Sequence, residues 1–200
     1  MTNKQFAALV MELRDEAVVL VAERQNEIER WDKVAYARVF EWFGNPGLLT
    51  ASAYLHEMRA YLRNGLNACE RVLRGLRPEN FVRWSSTAHR HLNCINSRSA
   101  IGLVAEVCKP DIKTRTIAIA PLFCQFPRDN KIFGTETSRD TDSQLLTLLH
   151  EITHFDDVFA STDEWYGTRL SRMMALDTSQ MGKARANADS IAGYILGVKQ

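Results

Sequence analysis

The sequence predicts an α+β fold, and three observations predict it. The first third carries apolar residues at helical spacing. The middle holds short runs rich in β-branched residues. The last third opens with a helix that is apolar over most of its circumference. The 200 residues suit one domain spanning 1–200. Its 1–78 part reads as mostly helical, and 79–200 as a small mixed sheet with further helices.

The first helix is expected from about Asn3 to Arg30, where Phe6, Leu9, Val10, Leu13, Ala17, Leu20 and Val21 mark one face. A second, from Val34 to Phe43, stops at the breaker Gly44-Asn45-Pro46. A third runs from about Leu49 to Leu73, with Tyr54, Met58, Tyr61, Leu62 and Leu66 on one side; Arg77-Pro78 closes it. Strands are expected over Phe81–Trp84, Ile101–Val107 and Thr114–Ala120. Loops follow at Arg128–Lys131 and Gly134–Ser138. Thr141 is positioned to cap the next helix, with Gln144 completing a capping box. Leu145, Leu146, Leu148 and Leu149 bury that helix. Gly167–Leu176 and Arg185–Leu196 read as two more helices.

Hydrophobic residues make up 46% and charged residues 24%, as in ordinary globular domains. The net charge of +1 gives no strong field to attract nucleic acid or an anionic membrane. No apolar run approaches a membrane span: Glu12, Arg14, Asp15 and Glu16 separate Phe6–Met11 from Ala17–Ala22. Nor is a signal peptide legible. Either the chain stays inside, or it leaves by a route that reads no cleaved N-terminal signal, or the sequence is a trimmed form. Cys69, Cys94, Cys108 and Cys124 include no Cys-x-x-Cys pair; they fit two disulfides or four thiols.

A buried helix with two histidines and a glutamate demands an explanation. His150-Glu151-Ile152-Thr153-His154 is the pattern H-E-x-x-H. Residues four apart share a helical face, so two imidazoles can take adjacent vertices of a zinc tetrahedron. Glu151 is placed to take a proton from the attacking water. The plain alternative is a hydrogen-bonded pair of core histidines.

A catalytic zinc wants a third protein ligand. No His follows His154, and Glu164 is the only later Glu. Asp156 and Asp157 continue the same helix and lie too close to bend back. Asp163, nine residues past His154, leaves room for a return turn. Tyr166 shares a face with Asp163 if that segment is helical, and its hydroxyl then suits an oxyanion. Trp165, beside this loop, is a candidate to line a substrate cleft.

These segments resemble the aspzincin, deuterolysin-like metalloendopeptidases, above all their lysine-specific branch. That family pairs H-E-x-x-H with G-T-x-D-x-x-Y-G; this chain has Ala160-Ser-Thr-Asp163-Glu-Trp-Tyr166-Gly167. Gly-Thr has become Ala-Ser. Glu41–Gly44, Asp142–Gln144 and Asn187–Ser190 are similar too, so the likeness runs from about residue 30 to 195.

The resemblance implies a zincin-like fold and Zn²⁺ held by His150, His154 and Asp163. It also implies Glu151 as general base and Tyr166 as oxyanion donor. In the lysine-specific branch, an Asp of the N-A-D segment and an acid three residues on bind the substrate lysine. Asp189 matches the first; Ala192 replaces the second. Asp189 is thus either a substrate-binding carboxylate or a local cap. By the same analogy Cys94 pairs with Cys124 and Cys69 with Cys108.

The expected activity is zinc-dependent endopeptidase cleavage of protein or peptide substrates, with a preference for a basic residue near the cut. The substrate would lie along a sheet edge formed by Thr114–Ala120 or a neighbouring strand. A peptidase without a signal peptide is awkward inside its producer. That motivates reading it as an effector delivered outside the cytoplasm, with a cognate inhibitor or immunity protein. A non-catalytic zinc-binding interaction module is the alternative, although such a module has no need of Glu151. His89 and His91 alternate as strand residues do; a hydrogen-bonded or solvent-facing pair is the simpler reading than a second metal.

Overall fold

The computed structural model describes residues 1–47, 50–85, 102–129 and 141–197. His89, His91, Cys94 and Ile101 lie outside these residues, as do Leu49 and the loop Gly134–Ser138.

Three helices open the chain. Helix α1 (Asn3–Arg30) begins with a capping box: Thr2 Oγ1 accepts from Gln5 N at 3.2 Å, and Thr2 N donates to the Gln5 amide at 2.8 Å. Its buried stripe includes Phe6, Val10, Leu13, Ala17, Val21 and Ile28. Asp32 caps α2 (Lys33–Phe43), accepting from Val34 N and Ala35 N, and Gly44 ends it at φ 93°. Helix α3 (Ala51–Gly75) packs along α1. Gly65 on α3 is required by a close approach: a Cβ there would lie 2.0 Å from the Phe159 ring. Phe159 belongs to the loop that carries Asp163, so this contact seats that loop on the helical layer.

The sheet has strands β1 (Phe81–Arg83), β2 (Ala105–Val107) and β3 (Ile117–Ile119) in the order β1-β3-β2. β1 runs parallel to β3 with Phe81 opposite Ile117; β2 runs antiparallel with Ala105 opposite Ile119. The sheet is mixed, as expected, but each strand is shorter than its β-branched run. β3 lies in the centre with partners on both sides. It therefore offers no free edge, and among the described residues β2 forms the edge beside the helix that carries His150 and His154.

Helix α4 (Gln144–His154) is buried at every position except Thr147. Its cap is Ser143, not Thr141: Ser143 Oγ accepts from Leu146 N at 3.0 Å. Gln144 is the first helical residue, and its side chain donates to the Phe123 carbonyl at 3.1 Å instead of closing a box. The tail holds α5 (Thr168–Ala175), α6 (Met181–Ala186) and α7 (Ala188–Leu196). The helix expected over Arg185–Leu196 breaks at Asn187, whose ψ of 128° is extended. Helix α4 packs chiefly against α7, with α1 and β2 also covering it.

The expected disulfides do not form. Cys69 and Cys124 are free thiols, whereas Cys108 is disulfide-bonded. Cys69 lies on the inner face of α3, fully buried, and burial pushes its thiol up to about 12.

Candidate active site

His150 and His154 lie one turn apart on α4 and turn the same way. Their Nε2 atoms are 3.1 Å apart. Asp163 Oδ1 lies 3.2 Å from one and 3.3 Å from the other. A tetrahedral ion with bonds of about 2.0–2.1 Å has ligand–ligand edges of about 3.3–3.4 Å. The three donor atoms thus form a triangle close to one face of that tetrahedron. Among the described residues this is the one group of three His, Cys, Asp or Glu side chains suited to a metal.

The outer ring nitrogens set the inner ones. His154 Nδ1 faces the Ser161 carbonyl at 3.1 Å, which can only accept, so Nδ1 carries the hydrogen. His150 Nδ1 meets Asp189 Oδ1 at 2.6 Å, again an acceptor. The two Nε2 atoms and a carboxylate oxygen then converge on one point, where a bound cation would meet two bare lone pairs; without it, a proton on Nε2 is donated to Asp163. Such a donor set suits a divalent cation, and the outer partners fix the ring orientation a metal ligand needs. Thr153 Oγ1 meets Ser161 Oγ at 2.7 Å and donates to the His150 carbonyl at 2.7 Å, locking Ser161 against the helix.

Without a cation, shared protons set the electrostatics of the three groups. Burial raises the Asp163 carboxyl, but hydrogen bonds from both imidazoles outweigh it and hold the group well below the usual range. Burial also pulls His150 down, yet Asp163 and Asp189 hold it well above its ordinary value. Glu151 is 5% exposed, and burial raises its carboxyl. A raised carboxyl suits a group that must both take and return a proton.

The loop from His154 to Asp163 turns on Ala160, which holds φ 51° in the left-handed region. This is the position where the motif has glycine, so the Ala departure sits where a Cβ costs most. The loop is then pinned from the far side. Thr162 bridges to Asn187 in parallel, with Thr162 N donating to the Ala186 carbonyl at 2.8 Å. Asn187 Oδ1 accepts from Glu164 N at 3.0 Å and Trp165 N at 3.2 Å. Segment 161–167 is not helical, so Tyr166 does not reach the site by sharing a helical face with Asp163. Its ring instead stacks on His150, with centroids 6.3 Å apart and an interplanar angle of 19°.

His150, Glu151, His154, Asp163, Tyr166 and Asp189 all line one cleft of about 640 Å³. Residues 102–107, including β2, line it as well. Trp165 does not line it; the indole Nε1 donates to Ser171 Oγ at 3.1 Å, and this tie directs the ring elsewhere. Asp189 lines it but is engaged at both oxygens: Oδ1 with His150 and Oδ2 with Gly167 N at 2.5 Å. Ala192 is fully buried. The pair of acids that the resemblance assigns to a substrate lysine is therefore not assembled here.

A family profile described as lysine-specific metallo-endopeptidase matches residues 83–195, more than half of the chain. The chain belongs to the aspzincin family. As an aspzincin it is a zinc-dependent metalloendopeptidase that acts on protein or peptide substrates. Among solved structures, a zinc peptidase from Grifola frondosa matches with a TM-score of 0.67. That match covers 96% of this chain and 95% of that one at 18% identity, a likeness of fold. No curated protein sequence matched. Among the described residues no helix is long and apolar enough to cross a membrane.

Sequence reasoning missed the supports of this aspzincin site. Asn187 and Ser161 are fully buried and polar, and the resemblance covers both without giving either a role. The available signal was polarity where burial was expected. Asn187, Asp189 and Ser190 open a segment that continues Ile-Ala-Gly-Tyr-Ile-Leu.

Proposed function

We propose that His150, His154 and Asp163 hold the zinc, and that Glu151 is the general base of peptide hydrolysis. The observation that carries this is the triangle of donor atoms with edges of 3.1, 3.2 and 3.3 Å. Bound zinc supplies a Lewis acid that polarises a carbonyl and lowers the pKa of water towards about 7. Glu151 follows His150 on the helix and lines the cleft, so it takes the proton of the attacking water and returns it to the leaving amine. Tyr166 stands over His150 at the mouth and donates to the oxyanion. Asp189 is a positioning residue, which holds the His150 ring by Nδ1.

The substrate lies extended against β2, the edge strand of the cleft wall, and pairs through its backbone. A basic residue beside the scissile bond is favoured by charge. Among the described residues, Glu106, Asp142, Glu151, Asp163 and Asp189 line the cleft against a single lysine, Lys109. Lys109 is itself turned to the Ala160 carbonyl at 3.2 Å. This reading keeps the preference but moves it from Asp189 to the cleft wall. An enzyme of this kind is tolerated by its producer when it acts outside the cytoplasm as a delivered effector, or when a cognate inhibitor protein covers it.

Glu151→Gln is the decisive test. The variant should keep one zinc per chain and lose about 10²–10⁴-fold in casein cleavage. Normal cleavage with normal zinc removes Glu151 from the mechanism. In the same assay, a peptide-library profile of Glu106→Gln should show weaker preference for basic residues than the parent. Co-purification from the native host checks for the inhibitor.

A further inference from the structure

Helix α5 is built inside out. Its buried residues are Thr168, Ser171, Arg172 and Ala175, three of them polar. Its outer side carries Leu170 at 40% exposure and Met173 at 57%, and Leu176 just beyond its end is 81% exposed. Tyr166, just ahead of it, is 62% exposed. Among the described residues, the exposed large hydrophobic side chains are these four together with Met1, Val19, Val34 and Ile112. Half of them therefore fall between positions 166 and 176. Surface helices ordinarily turn their apolar stripe inward. Isolated exposed hydrophobes need no account, but a contiguous set marks a contact surface.

The orientation is fixed by the inner face. Ser171 Oγ donates to the Gly167 carbonyl at 3.0 Å and accepts from Trp165 Nε1 at 3.1 Å and Asn187 Nδ2 at 3.2 Å. Arg172 pairs with Glu41 at 3.2 Å and stacks over Trp42 at 5.5 Å. These contacts hold the metal loop and α7 together. The helix cannot rotate its leucine and methionine inward without breaking them.

We propose that Leu170, Met173 and Leu176 form an exosite that holds apolar side chains of an extended polypeptide substrate, several residues from the scissile bond. The proposal rests on the peptidase reading and deepens it. Continuity supports this occupant, because Tyr166 both lines the catalytic cleft and begins the stripe. An eight-residue helix is about 12 Å long, the span of about three or four extended residues. Met173, with three rotatable bonds, adapts to varied side chains, as a general peptidase requires.

The test is Met173→Gln combined with Leu176→Gln, two exposed sites that leave the core and Tyr166 untouched. Two long peptides carry a leucine–phenylalanine block, one on each side of the cleavage site; a third peptide spans only the cleavage site. The double variant should lose about tenfold in kcat/KM on one of the long peptides and nothing on the short one. In a Glu151→Gln background, fluorescence anisotropy should show the same tenfold loss in binding of that long peptide. Equal losses on long and short peptides, or no loss on any, overturn the exosite. If the parent cleaves nothing but the binding difference persists, the exosite stands and the catalytic reading falls. Sedimentation at two concentrations closes the remaining route: a dimer that the double variant dissociates assigns the stripe to self-association and overturns the proposal.

Discussion

Helix α4 precedes the Asp163 loop and α5 follows it, and the two are made on opposite plans. α4 hides its leucines and also hides its histidines and glutamate, and both imidazoles have a defined partner on Nδ1. α5 hides hydroxyls and a guanidinium and turns leucine and methionine outward. The difference teaches where precision is needed. Chemistry requires groups fixed to fractions of an ångström, which burial and supporting hydrogen bonds provide. Gathering varied chains requires adaptable apolar surface, which exposure provides.

Three substitutions sharpen that contrast, in falling order of effect. Tyr166→Phe removes only a hydroxyl at the mouth; kcat should fall by about 10²–10³ with zinc content unchanged, and steady-state kinetics check it. An unchanged kcat would assign Tyr166 to the apolar stripe alone. Asp189→Asn loses one of two acceptors and should weaken zinc by about 10–100-fold, measured by competition with a chelating dye. Undiminished affinity would show that α4 holds its rings without help. Ala160→Gly relieves a left-handed Cβ and should stabilise by about 0.5–1 kcal/mol, part of the gain being offset by glycine's freedom in the unfolded chain. A thermal melt should move up by about 1–4 °C. A lower melting temperature would mean that the loop gains its rigidity from Ala160 itself.

Much of this was legible beforehand, for physical reasons that can be named. Helix α1 was readable to its ends because its stripe repeats without interruption and Thr2 and Gln5 form a local cap. That His150 and His154 share a face was readable because i,i+4 spacing maps directly onto geometry, and the nearness of Asp163 to both followed from chain reach. The rest depended on contacts distant in sequence. Strand order is set by pairing across gaps; of the two candidates for the edge, Thr114–Ala120 is central and a neighbouring strand, β2, is at the edge. Ser143 and Thr141 are equally good caps on paper; the choice falls to where burial of Gln144 starts the helix. Asp189 reads in sequence as a substrate-binding carboxylate or a local cap, and its contacts with His150 Nδ1 and Gly167 N depend on neighbours distant in sequence. The cysteines are the plainest case. Analogy paired Cys69, but α3 buries it in the core as a thiol.

One turn, Asn187 to Asp189, grips the molecule in two places. Asn187 anchors the strand-like run around Asp163, and Asp189 steadies a ring on the opposite ligand. Whatever unwinds that turn withdraws both supports together. The carboxylate loop and the His150 ring are therefore coupled through the start of α7.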